Sequence, residues 1–174
     1  MNIIFKRPEK SEYSEYYEYY IKLVEDGDIL ATLQNQIKEY EVFLSSIPKN
    51  KENYAYAEDK WSVKEVIGHI NDAERVYGYR ALRFIRNDKT LLSGYEQDDY
   101  VINARFGERT IEDMKDEFIH LRMANIIMFK NVDEEESLRE GFTNEKLKVT
   151  VRSYPYIIAG HLKHHIQVIK EKYL

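Results

Sequence analysis

Four stretches of this sequence repeat their apolar residues at the 3.6-residue spacing of an amphipathic helix, and nothing else in the chain narrows the fold as far. The first stripe is Leu30, Leu33, Ile37, Tyr40, Leu44 and Ile47; Asp28 is placed to cap it and Pro48 to stop it. The second opens at Ser62-Val63-Lys64-Glu65, a capping box with Trp61 and Val66 in the positions of a hydrophobic staple. It runs to about Asn87 through Val66, Ile70, Ala73, Tyr77 and Phe84. Thr110 with Asp113 opens the third, which presents Ile111, Met114, Phe118, Leu121, Asn125 and Met128 on one face. Pro155, tolerated in a first turn, begins the fourth, with Ser153 ahead of it as a cap.

Between these stripes, residues 88–109 read as loop, with Gly94, Gly107 and the acidic run Glu96-Gln97-Asp98-Asp99. Residues 131–152 read as a second irregular stretch, holding Gly141 and the strand-like Lys148–Arg152. Strand alternation is otherwise unconvincing, so the expected class is all-α: a four-helix bundle with long inter-helix loops. Connections of that length are unusual in bundles and often carry function. Tyr13, Tyr16, Tyr17 and Tyr20 follow i, i+3, i+4, i+7, which predicts a short N-terminal helix. Its aromatic face either packs over the core or walls a ligand cleft. With no internal repeat or linker, 1–174 reads as one domain in which 1–27 is a segment packing on the bundle.

Composition then limits the chemistry. None of the 174 residues is cysteine, which removes disulfides, thiolate metal sites and a cysteine nucleophile. A formal net charge of −5 argues against a nonspecific grip on nucleic acid. No segment approaches the ~18 apolar residues of a membrane span, and Met1–Arg7 lacks the long apolar region of a secretory signal. The expected setting is cytoplasmic, with no nucleic-acid or membrane partner. Any metal must be held by imidazole and carboxylate.

Three of the five histidines stand in Gly160-His161-Leu162-Lys163-His164-His165. His161 and His165 lie one turn apart, on a helix face shared with Ile157, Ile158 and Val168, so both point inward. His69 lies near the core face of the second helix and brings an imidazole from another element. His164 sits at the edge of the stripe, either beside the site or toward solvent, and His120 reads as a surface residue. Three imidazoles from two helices suit a catalytic divalent metal with open positions; core histidines joined by hydrogen bonds are the alternative. Leu162 and Lys163 stand where a zinc-peptidase motif would need other residues. Asp72, Arg80, Arg122 and Asn125 also face inward, as pocket residues or as an interhelical salt-bridge network; Asp72 is a candidate partner for an imidazole.

The chain resembles the DinB/YfiT-like metal-binding four-helix proteins over nearly its whole length. The resemblance rests on Lys60–His69, Asp72–Arg75, Tyr79–Arg83, the loop Leu91–Tyr100, and Ala159–His165. It implies a metal, nickel or zinc, set by His69, His161 and His165, and a homodimer. It also implies a metal-dependent enzyme that activates a bound water or a low-molecular-weight thiol cosubstrate such as bacillithiol, as hydrolase or S-transferase, on a small-molecule substrate. Leu162 departs from the family, which often carries an acid after the Gly-His. A noncatalytic dimeric metal-binding bundle, structural or ligand-sensing, is the contrasting expectation.

Overall fold

The computed structural model describes residues 5–144 and 146–174; Met1–Ile4, the apolar start of the N-terminal stretch, lie outside them. In chain order the helices are α1 (Glu18–Lys22), α2 (Ile29–Ser45), α3 (Val63–Ile85), α4 (Gln97–Ala104), α5 (Ile111–Lys130), α6 (Glu134–Ser137) and α7 (Ser153–Lys172). A hairpin of β1 (Glu140–Thr143) and β2 (Leu147–Thr150) precedes α7. The start signals do what their chemistry dictates. Asp28 Oδ1 accepts from the Leu30 amide at 2.9 Å, and Thr110 Oγ1 from that of Asp113 at 3.1 Å. At Ser62 the capping box closes reciprocally, with its amide donating to Glu65 Oε2 at 2.6 Å and its Oγ accepting from the Glu65 amide at 3.4 Å.

The four long helices form the bundle. Helices α5 and α7 each pack against both α2 and α3, so the order around the bundle is α2–α5–α3–α7. The chain therefore crosses a diagonal twice, from α2 to α3 and from α5 to α7. A diagonal crossing needs more chain than a turn between neighbours, which accounts for two of the long connections. Among the described residues, no helix is long and apolar enough to cross a membrane.

The connections hold more structure than periodicity predicted. Residues 97–104, expected as loop, form α4; its one buried side chain is Val101, too little to mark a stripe, and left-handed Arg105 (φ 52°) ends it. The 131–152 stretch contains α6 and an antiparallel hairpin pairing Glu140 with Thr150 and Thr143 with Leu147. Helix α7 starts at Ser153, not Pro155, and Ser153 does not cap it: the buried Oγ lies 2.9 Å from Thr150 Oγ1. The tyrosine stripe is also divided. Tyr13 pairs with Val149 beside the hairpin, while Tyr16 and Tyr17 occupy a 3-10 turn that leads into α1. Glu12, just before it, holds Arg152 and accepts from Thr150 Oγ1 at 3.2 Å, tying the N-terminal segment to the hairpin and the start of α7.

Two apolar clusters fill the bundle. One gathers Phe84, Phe129, Tyr154 and Ile157; the other gathers Tyr40, Ile67, Phe118, Leu162 and Ile169. Side chains buried this completely each contribute about 1.5–3 kcal/mol. Where one cluster gives way to the other, a polar network joins all four helices. Arg122 of α5 holds Glu74 of α3 through two bonds and donates to Gln36 Oε1 of α2 at 2.8 Å. Gln36 in turn donates to the Ala159 carbonyl of α7 at 3.0 Å.

Candidate metal centre and its cleft

Two residues beyond that carbonyl, α7 presents His161, and one turn later His165. Helix α3 brings His69 against them. His69 Nε2 lies 3.2 Å from His161 Nε2, and His165 Nε2 lies 3.1 Å from the same atom. All three donor atoms fall within 4.8 Å of one another. An ion with metal–nitrogen bonds of about 2.1 Å separates neighbouring ligand nitrogens by about 3.0–3.4 Å; the two distances to His161 match that spacing, and the three imidazoles form a set that could hold a divalent metal.

Electrostatics point the same way. Burial pushes the His69 imidazolium down to about 4, partly countered by Asp98. Burial, reinforced by the neighbouring histidines, holds His161 and His165 well below the ordinary histidine range. All three are therefore neutral near pH 7 and carry the lone pairs a metal requires. His164 is outside this ligand set: half-buried, it lies 4.8 Å from the His165 ring and sets its own ring against Tyr19 and Tyr20 at 5.3 and 5.8 Å.

Aromatic rings enclose the cluster. Trp61, the staple residue, lies 4.8 Å from His69, and Tyr20 and Tyr77 meet His161 edge-on at 5.3 and 5.7 Å. Tyr20 reaches that position because of a glycine. A Cβ added to Gly160 would fall 1.9 Å from the Tyr20 carbonyl oxygen, so only glycine lets α1 lie this close to α7. A cleft of about 320 Å³ opens from His69 and His161, walled by Tyr16, Tyr20, Tyr77, Arg80 and Tyr95. Its far wall is shared with a larger chamber of about 510 Å³, to which Arg80, Gly94 and Tyr95 also belong. On the other side, His165 lines a separate depression of about 260 Å³ with Trp61, Asp98 and His164.

Residues 32–169 match the DinB superfamily. The chain belongs to that superfamily. Its fold is the DinB/YfiT-like four-helix bundle: YfiT from Bacillus subtilis, described as a probable metal-dependent hydrolase with an unusual four-helix bundle topology, superposes with a TM-score of 0.72 at 15% identity. That match covers 94% of this chain and 89% of YfiT. A mycothiol-dependent maleylpyruvate isomerase superposes with a TM-score of 0.65 at 12% identity, over 80% of this chain and 58% of the isomerase. This DinB-superfamily chain thus spans little more than half of the isomerase. No curated protein sequence matches it.

The other polar candidates divide between two settings. Arg80 faces the cleft. Arg122 and Asn125 instead meet Glu74, with Asn125 Nδ2 donating to Glu74 Oε1 at 2.9 Å, so the interhelical salt-bridge alternative describes their contacts. Asp72 hydrogen-bonds none of the three imidazoles. It is half-buried, and burial raises its carboxyl, partly offset by Arg75. Tyr77, Tyr95 and Asp98 line the clefts without a sequence signal that marks them as site residues. Tyr77 read as core, and Tyr95 and Asp98 sit in a segment read as loop, where periodicity carries no information about direction.

Proposed function

We propose that this protein is a metal-dependent enzyme in which His69, His161 and His165 hold a divalent transition metal beside a small-molecule cleft. The observation that carries the reading is the convergence of three neutral, largely buried Nε2 atoms at ligand spacing. Imidazole donors of this kind accept nickel or zinc. A metal bound there would lower the pKa of a coordinated water or thiol, the chemistry needed for hydrolysis or for S-transfer. The chain's own residues supply the setting. Neutral imidazoles leave the charge of the centre uncompensated, and the rings of Trp61, Tyr20 and Tyr77 pack against two of them. With no cysteine in the sequence, a reacting thiol must arrive with a cosubstrate. Of two solved structures that the chain resembles, one is described as a probable metal-dependent hydrolase and the other as a mycothiol-dependent isomerase, which supports a metal at the site and a low-molecular-weight thiol as a cosubstrate.

The deciding experiment is elemental analysis of tag-free protein before and after chelation, followed by assay of the metal-loaded form. Near-stoichiometric metal that chelation removes is the expected result; less than about a tenth of an equivalent, with no rebinding, overturns the proposal. Ester, amide and electrophile panels run with and without bacillithiol then separate hydrolysis from S-transfer. Metal uptake without turnover in any panel favours the noncatalytic bundle.

A further inference from the structure

Arg80 is a buried cation that the histidine chemistry leaves unused. It stands three turns beyond His69 on α3, within about 20° of it around the helix axis and about 16 Å along it. Its residue is only 7% exposed, yet the side chain lines both chambers. Nη2 donates to the Ser93 carbonyl at 3.0 Å, and among the described residues no carboxylate pairs with it. The neighbouring arginines differ in this respect: Arg75 holds Glu117 and Arg83 holds Asp88. Its close neighbours are aromatic, with the Tyr95 ring centroid at 5.9 Å and the buried Tyr17 and Tyr77 beside it in the cleft wall; the exposed Glu96 lines the same cleft but forms no ion pair with it. A guanidinium withdrawn from water without a counter-ion is unfavourable, and one that borders a cavity can obtain its counter-ion from a ligand.

We propose that Arg80 anchors a carboxylate of the small molecule whose reacting end lies at the histidine cluster, so that the site selects elongated, carboxylate-bearing molecules over neutral ones. The planar guanidinium matches a carboxylate bidentately, and its single charge balances a monoanion where a dianion would remain half-compensated. Tyr95 and Tyr100, with ring centroids 4.9 Å apart, give the adjoining chamber an apolar lining for the rest of such a ligand. The position of the reacting end rests on the proposed function; the anion site does not.

The test titrates metal-free, full-length protein with 4-phenylbutyrate and with its neutral amide, followed by ligand-observed NMR. The carboxylate is expected to bind at least about tenfold more tightly. That preference should vanish in Arg80→Gln and persist, weakened, in Arg80→Lys. Equal affinities in the wild type, no carboxylate binding, or a preference that survives in folded Arg80→Gln overturns the proposal, as does displacement by inorganic phosphate at lower concentration than by the carboxylate. The wild-type comparison needs no variant, so it decides the question even where Arg80→Gln misfolds. In metal-loaded protein, tighter binding of 6-mercaptohexanoate than of 1-hexanethiol assigns the carboxylate to the thiol partner, and equal binding assigns it to the other reactant. Failure to load metal sinks the metal reading alone, because the carboxylate comparison is made without metal.

Discussion

The Glu74 carboxylate takes both of its oxygens to one guanidinium: Arg122 Nε donates to Oε1 at 2.9 Å and Nη2 to Oε2 at 3.0 Å, with neither side chain in contact with bulk water. Through Gln36 the pair reaches the Ala159 carbonyl, two residues before His161 on α7. The network thus fixes the height of α7 relative to the other three helices, and with it the spacing of the imidazoles.

Removing one member strands the other. Glu74→Ala leaves Arg122 buried without its counter-ion and should cost about 3–5 kcal/mol in a urea titration. The double replacement Glu74→Leu with Arg122→Met should recover much of that loss, since apolar side chains often serve a buried position as well as an ion pair. A double variant no more stable than Glu74→Ala would show that the network is needed for packing beyond charge compensation.

Gly160→Ala tests the contact between α1 and α7. In an open helix the change would stabilise by about 1 kcal/mol. Here the added methyl meets the Tyr20 carbonyl, so the variant should instead lose about 1–3 kcal/mol, the ordinary cost of overpacking. Limited proteolysis should cleave the segment before α2 faster than in the wild type, while far-UV circular dichroism stays bundle-like. A rise in melting temperature would show that α1 does not depend on the glycine.

Metal removal should be visible in stability as well as in composition. At a free metal concentration 100-fold above Kd, binding adds about 2.7 kcal/mol to the folded state, which chelation would remove. His161→Ala deletes the nitrogen that both other imidazoles face. It should abolish uptake by equilibrium dialysis and cancel the metal-dependent shift in melting temperature. Uptake that survives the substitution would place the metal elsewhere.

Much of the frame was legible because it depends on local chemistry. Asp28, Ser62 and Thr110 satisfy orphan amides within their own first turns, and the inward direction of His161 and His165 follows from helical spacing alone. What escaped depends on long-range closure. Glu74 meets Arg122 across 48 positions of sequence, and neither residue's periodicity names its partner. Strands of four residues are too short to establish alternation, and α4 buries only Val101. The cleft was divided among segments that no single pattern connects. The stripe of Tyr16, Tyr17 and Tyr20 satisfies both of its alternatives at once, since Tyr17 is buried in the core and all three line the cleft.

The tie between Glu12 and Arg152 gives a pH signature. Burial alone would raise the Glu12 carboxyl, but the hydrogen bond and charge of Arg152 and the Glu9 amide outweigh it, leaving the group below its ordinary value of 4.5. The unfolded chain then binds the proton more readily than the native one. The stabilisation is complete above about pH 4.5 and is lost as pH falls through the lowered native value. Wild type should exceed Glu12→Gln in urea midpoint at pH 7, and the gap should close on acidification toward pH 3. A gap that holds constant across that range would assign the contact's effect to packing instead of charge.

The imidazoles stand on α3 and α7, but much of the wall in front of them does not belong to the bundle. Tyr16 and Tyr20 come from the N-terminal segment, Gly94 and Tyr95 from the connection after α3, and Asn144 and Leu147 from the hairpin. The bundle thus carries the nitrogens together with Arg80 and Tyr77, while the rest of the wall is carried by separable segments. Sequence in those three segments can be exchanged to admit a different molecule while the four helices keep the nitrogens in register, which makes this architecture a holder with interchangeable jaws.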